Sequence, residues 1–229
     1  MTIYFPDTKV AFIHIPKNGG MSIDRWVTNR EGFDTRYRAQ PHERIGRDFT
    51  AKHASCLEFE NNFLKKYPGQ DYRYFLVSRN PYSRMVSWQH FWREQMDRLQ
   101  KMSENKAKFK GQPIPPRPEN IYDGSFKNFV REVLKQPTGG KVRHPNFHLL
   151  VGQVWFLHPK KRPTWVLRME HLEEDFKHIQ RLCNRDMPLP HENTSKHRPW
   201  QEYYDEETKD MVYNYFKRDF DWFRYEKDF

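Results

Sequence analysis

Three stretches of the chain repeat one pattern, an unbroken apolar run followed by apolar positions at helical spacing. Lys9-Val10-Ala11-Phe12-Ile13-His14-Ile15 is β-branched and aromatic, and Pro16 and the pair Gly19-Gly20 cut it off. This predicts a buried strand ending in a tight loop. Helical spacing then begins near Met21 and takes in Ile23, Trp26 and Val27. Tyr74-Phe75-Leu76-Val77 predicts a second strand, stopped by Ser78-Arg79-Asn80-Pro81. Pro81 suits a first helical turn, where its missing N–H costs nothing, and the helix it opens runs through Met85, Val86, Trp88, Phe91 and Trp92 toward Leu99. Thr164-Trp165-Val166-Leu167-Arg168 is the third run, with Leu172, Phe176, Ile179 and Leu182 behind it. Three strand-then-helix units predict an α/β fold built on a parallel sheet. From Asp205 onward, Met211, Val212, Tyr215 and Phe216 mark one amphipathic helix. Residues 103–123 break the pattern: Lys106, Lys108 and Lys110 lead into Pro113, Pro115, Pro116 and Pro118, which reads as an exposed loop and not a domain boundary. The whole of 1–229 is expected to form one domain.

Composition supports a packed core, since 16% of the 229 residues are aromatic although only 36% are hydrophobic and 31% charged. The net charge of +10 favours anionic ligands, from nucleic acid to acidic glycans and phosphorylated cofactors. Two cysteines, Cys56 and Cys183, exclude a disulfide framework and a cysteine-based zinc site, and two separate buried thiols are expected. No apolar run approaches the roughly 20 residues of a membrane span, and the first residues lack the regions of a signal peptide.

Two loops carry candidate chemistry. In Ile15-Pro16-Lys17-Asn18-Gly19-Gly20-Met21-Ser22 a strand ends, glycines let the backbone approach a ligand, and a helix begins with N–H groups pointing back. Lys17 adds a full positive charge. The lysine precedes the glycines, so this is not the NTPase pattern G-x-x-x-x-G-K-[ST]. Taken alone, a plain strand–helix turn with a solvated lysine describes the loop equally well. The second loop, Val77-Ser78-Arg79-Asn80-Pro81-Tyr82-Ser83-Arg84-Met85-Val86-Ser87, again runs from strand to helix. Arg79 falls at the C-terminal edge of a strand, where ligands of open α/β sheets bind. Ser87 lies about two turns on, and Arg84 one turn before it. A guanidinium fork and a hydroxyl suit a terminal phosphate. An ion pair for Arg79 and a packing role for Ser87 are the ordinary alternatives, and two such loops in one chain weaken both.

These two loops resemble the 5′-phosphosulfate loop and the 3′-phosphate motif of sulfotransferases, most closely the carbohydrate sulfotransferases of the heparan 2-O and chondroitin/HNK type. Lys52-His53-Ala54-Ser55, the block from Arg168 to Phe176, Leu189-Pro190-His191-Glu192-Asn193-Thr194-Ser195-Lys196-His197 and the stretch from Tyr215 to Tyr225 extend the resemblance in family order. Family loops usually carry threonine or serine where this chain has Asn18 and Met21.

The resemblance implies a three-layer P-loop-type fold, a central parallel sheet flanked by helices. It implies 3′-phosphoadenosine 5′-phosphosulfate (PAPS) as co-substrate, with no metal. Pro16, Lys17, Asn18, Gly19, Gly20, Met21 and Ser22 would bind the 5′ end, and Arg79 and Ser87 the 3′-phosphate. Ser195 and Lys196 would close over the 3′ end of the nucleotide. Lys17 would meet the charge on the departing phosphate, and His53 would be the base. His14 is expected to be a wall residue, Glu170 a favourable charge at a helix N-terminus, and Trp88 and Trp92 core. The implied acceptor is a hydroxyl compound, a carbohydrate or glycan before others, with no nucleic acid partner. Golgi relatives carry an anchor not seen here, so the expected compartment is the cytoplasm for a full-length bacterial or viral enzyme, or the Golgi lumen for a trimmed domain. A P-loop nucleotide kinase and a basic nucleic-acid-binding module are the competing readings. The first lacks the Walker lysine, and the second lacks a recognised motif.

Overall fold

The computed structural model describes residues 2–29, 42–43, 53–104, 125–135, 147–191 and 198–229. Four strands, β1 (Ile3–Phe5), β2 (Val10–Ile13), β3 (Arg73–Ser78) and β4 (Trp165–Arg168), form one sheet in the order β1-β2-β3-β4. The last three are parallel, as their sequence pattern predicts, and β1 pairs antiparallel with β2, placing Ile3 opposite Phe12. The sheet is therefore mixed, a parallel set with one antiparallel edge. β1 has only three residues before Pro6-Asp7, too few to show a period.

The helices are α1 (Gly20–Thr28), α2 (Cys56–Lys66), α3 (Pro81–Glu104), α4 (Phe126–Leu134), α5 (Phe147–Leu150), α6 (Leu172–Leu182), α7 (Glu206–Tyr215) and α8 (Lys217–Phe223). Strand side chains alternate between faces. Phe5, Val10, Phe12, Phe75, Val77 and Leu167 meet Ile23, Trp26 and Val27 of α1 and Phe176 and Ile179 of α6. Tyr4, Ala11, Ile13, Tyr74 and Leu76 meet Phe59 and Phe63 of α2 on the other face. Helices thus cover both faces of the sheet. A third apolar cluster joins α3, α4, α7 and α8, and Trp88 packs edge-on against Phe129 within it, with Trp92 at its margin.

Cys56 and Cys183 are free, buried and on opposite faces of the sheet. Burial pushes their thiols up to about 12 and about 11. α3 extends to Glu104, so the first two residues of the expected 103–123 loop are helical; the rest lie outside the described residues. The helix expected from Asp205 is α7, which holds Met211, Val212 and Tyr215; it stops short of Phe216, which leaves helical geometry at φ −103°, ψ 20° before α8. Pairing of Ile13 with Leu76, and of Ser78 with Arg168, makes the loops after β2, β3 and β4 leave the same edge of the sheet. That edge carries the site.

Candidate functional site

The loop after β2 turns sharply because both Lys17 (φ 69°) and Gly19 (φ 71°) are left-handed. Gly20 then opens α1 with its Cα against the ring of His14, which a Cβ would strike. This close approach explains why glycine stands there. His14 is buried, stacked on Phe12, as a wall residue should be. The Ser22 and Ile23 N–H groups donate to the Gly19 carbonyl (3.1 and 3.4 Å), and no acidic residue occupies the first turn of α1. Met21 is 42% exposed and Ser22 buried. Asn18 is turned inward: its Nδ2 donates to the Val77 carbonyl (2.6 Å) and to Gln153 Oε1 (2.6 Å).

The loop after β3 is capped by Asn80, whose Oδ1 accepts from the Tyr82 N–H (2.9 Å). Arg79 reaches back to the first loop. Its Nη1 donates to the Lys17 carbonyl (2.9 Å) and its Nε to Ser83 Oγ (3.0 Å). Burial pushes its guanidinium down to about 10, opposed by the charge of Glu170. Ser87 is buried on α3. Arg84 points elsewhere: its guanidinium donates to the carbonyls of Pro16 (3.3 Å), Val151 (3.4 Å) and His148 (3.3 Å), which makes it a structural brace.

The Lys17 ammonium lies 4.3 Å over the ring of Phe91. His53 precedes Ser55, which caps α2 in a reciprocal box with Glu58. His53 Nδ1 is 3.3 Å from the His14 carbonyl. A carbonyl can only accept, so Nδ1 carries the proton and Nε2 is the basic nitrogen of the neutral ring. The His53 ring centre is 4.5 Å from that of His14 and 5.8 Å from that of His148. Arg79 bonds the Lys17 carbonyl directly and shares Gln153 with Asn18, while His53 contacts His14; both sets lie where β2 and β3 end. Ser195 and Lys196 lie outside the described residues.

Glu170 departs from its expected role. α6 starts at Leu172, so its first-turn acids are Glu173, Glu174 and Asp175. Glu170 sits in the 3-10 turn Met169–His171 and accepts from the Asn80 N–H (2.7 Å) and the Tyr225 hydroxyl (3.1 Å). It ties the loop after β4 to the loop after β3.

Two buried residues at this edge are not among the candidate site residues: Gln153, which lies in no motif, and Asp219, which lies in the Tyr215–Tyr225 block. Gln153 opens a 3-10 turn after α5, and its side chain bonds both loops. Asp219 of α8 accepts from the N–H groups of Gln153 (2.7 Å) and Val154 (3.0 Å). Only a buried, hydrogen-bonding residue amid aromatics marks either position in the sequence, and that signal points to no ligand. Among the described residues, no group of three or more His, Cys, Asp or Glu could hold a metal ion, and no helix is long and apolar enough to cross a membrane.

The chain matches the sulfotransferase family over residues 1–226, and it belongs to that family. No curated protein and no solved structure matches it.

Proposed function

We propose that this sulfotransferase uses PAPS as donor and sulfates a hydroxyl of a carbohydrate, in a single P-loop-type domain. The observation that carries the reading is the bond from Arg79 to the Lys17 carbonyl, which brings the two phosphate-loop candidates together at the edge where parallel strands end. The residues suit such a donor. Gly19 supplies the left-handed turn and Gly20 lets α1 start against His14, the α1 N-terminus offers N–H groups and positive potential, and Lys17 and Arg79 supply full charges.

The bound donor supplies a sulfuryl group on a phosphate leaving group, and transfer is an in-line displacement governed by positioning and charge. The N–H groups of Gly20 and Met21, together with the Ser22 side chain, hold the 5′ end, with Pro16 and Asn18 fixing the loop. The Lys17 ammonium neutralises charge that grows on the departing phosphate oxygen. Arg79 and Ser87 hold the 3′-phosphate, and Ser195 and Lys196 are assigned to the same phosphate from their sequence motif alone. His53 Nε2 takes the proton of the acceptor hydroxyl. The net charge of +10 suits an acidic glycan as acceptor.

Thermal-shift titration tests this reading. We expect saturable stabilisation by 3′-phosphoadenosine 5′-phosphate without magnesium. Stabilisation by ATP–Mg²⁺ alone, or by an oligonucleotide alone, would overturn it.

A further inference from the structure

The side chain of Gln153 is fully buried and joins the two loops. Its Oε1 accepts from Asn18 Nδ2 (2.6 Å) and from the Arg79 N–H (2.9 Å), and its Nε2 donates to the Arg79 carbonyl (2.8 Å). The carboxamide thus pairs with both backbone groups of Arg79, as a neighbouring strand would. It does so one residue past Ser78, where the pairing of β3 with β4 stops. Asn18, 1% exposed, is fixed from two sides, since Nδ2 also donates to the Val77 carbonyl. Turning that amide over would set its oxygen against two acceptor oxygens, so its orientation is locked. The Gln153 backbone is itself anchored by Asp219.

We propose that Gln153 is a positioning residue that sets the separation of the two phosphate loops, so that a nucleotide carrying both a 5′- and a 3′-phosphate is held at both ends at once. This rests on the donor-site reading above. Gln153 need not touch the nucleotide. It fixes Asn18 in one loop and the backbone of Arg79 in the other, and through the Arg79 guanidinium it also fixes the Lys17 carbonyl. Loosening it leaves every phosphate-binding group present but lets the two sites drift. Binding of one phosphate survives such drift, whereas simultaneous binding of two loses its preorganisation.

The experiment measures dissociation constants of 3′-phosphoadenosine 5′-phosphate, adenosine 5′-monophosphate and adenosine 3′-monophosphate by calorimetry, with the melting temperature of each protein. Gln153→Met keeps the volume and removes the hydrogen bonds. Asn18→Ala breaks the same tie from the other loop and serves if Gln153→Met does not fold. In each variant the bisphosphate should weaken by about 10-fold, the size expected for loss of coupling between linked groups, while in Gln153→Met both monophosphates change little and in Asn18→Ala the 3′-monophosphate changes little. The double variant should lose no more than the worse single one. Equal weakening of all three nucleotides would reduce Gln153 to a structural role and overturn the proposal. A wild-type preference for the bisphosphate that survives in both variants would overturn it as well, with the donor reading intact. A wild-type protein with no such preference would overturn the donor reading itself.

Discussion

Lys17 holds a left-handed backbone at φ 69°, a conformation that costs a non-glycine residue roughly 1–2 kcal/mol. The strain is held in place by the bond its carbonyl accepts from Arg79. Its side chain hangs from this fixed point toward Phe91, and the proposed chemistry asks that ammonium to stabilise charge that appears mainly in the transition state. Lys17→Ala keeps the backbone strain and removes the side chain beyond Cβ, the ammonium with it. Turnover should fall by orders of magnitude, with a smaller loss of nucleotide affinity and an unchanged melting temperature. Near-normal kcat would remove Lys17 from the mechanism. For His53, the bond between Nδ1 and the His14 carbonyl selects the tautomer that a base needs. His53→Ala should keep nucleotide binding and lose roughly 10²–10⁴-fold in rate. The rising acidic limb of the wild-type kcat/KM profile should vanish with it. An unchanged profile in a stable variant would move the base elsewhere.

At the scale of elements, α7 shows how local chemistry is coupled to charge. Asp205 caps it through the Thr208 N–H (2.9 Å) and pairs with Lys127 of α4 (2.6 Å), while Arg131 and Lys127 both reach Glu207. Bonds to Lys127 and Thr208 hold the Asp205 carboxyl well below the usual carboxylate range. A depressed folded-state value means that this stabilisation is complete above the unfolded value of about 3.9 and is lost as pH falls below it. Asp205→Ala should cost about 1 kcal/mol at neutral pH, and the gap from wild type should narrow below pH 4 in acid-unfolding curves. Asp205→Asn should keep most of the cap and lose the acid dependence; an acid response identical to wild type would remove the charge from the account. The Asp205 start was legible in the sequence, as were β2, β3, β4 and the helices that follow them, because each carries its own period. The break at Phe216 was not, since apolar spacing continues through it. The two loops were legible as well, being contiguous strand–turn–helix segments. Gln153 and Asp219 were not. They lie 135 and 201 positions from Asn18 and Asn18's own loop, and their signal is a three-dimensional meeting of polar groups that no local pattern encodes.

Across the whole molecule, α8 is tied to the site through buried Asp219, which holds the Gln153 turn and whose charge acts on buried Arg84. Arg84 is fully enclosed, and desolvation pushes its guanidinium down to about 10, with the charge of Asp219 opposing the shift. Burial raises the Asp219 carboxyl in turn, while Arg84 and the N–H groups of Gln153 and Val154 act to lower it. Each group makes the other tolerable, and each also bonds backbone that frames the loops: Arg84 the Pro16 carbonyl, Asp219 the Gln153 N–H. Removing the Asp219 carboxylate takes away the acceptor of two buried N–H groups, those of Gln153 and Val154, and a charge that favours the buried Arg84 cation. Asp219→Ala should therefore unfold at clearly lower urea, and Asp219→Asn, which keeps an acceptor but not the charge, should fall between it and wild type. Adding Arg84→Met to Asp219→Asn should recover part of the loss, since a matched apolar replacement removes the uncompensated charge. A further effect separates this pair from an ordinary stability element. In folded Asp219→Asn the Gln153 turn loses part of its anchor, so the preference for a bisphosphate over a monophosphate nucleotide should shrink at temperatures well below melting. Full stability in Asp219→Asn would show that the pair is not a brace, and a lowered melting temperature with an unchanged nucleotide preference would detach the C-terminal helices from the geometry of the site.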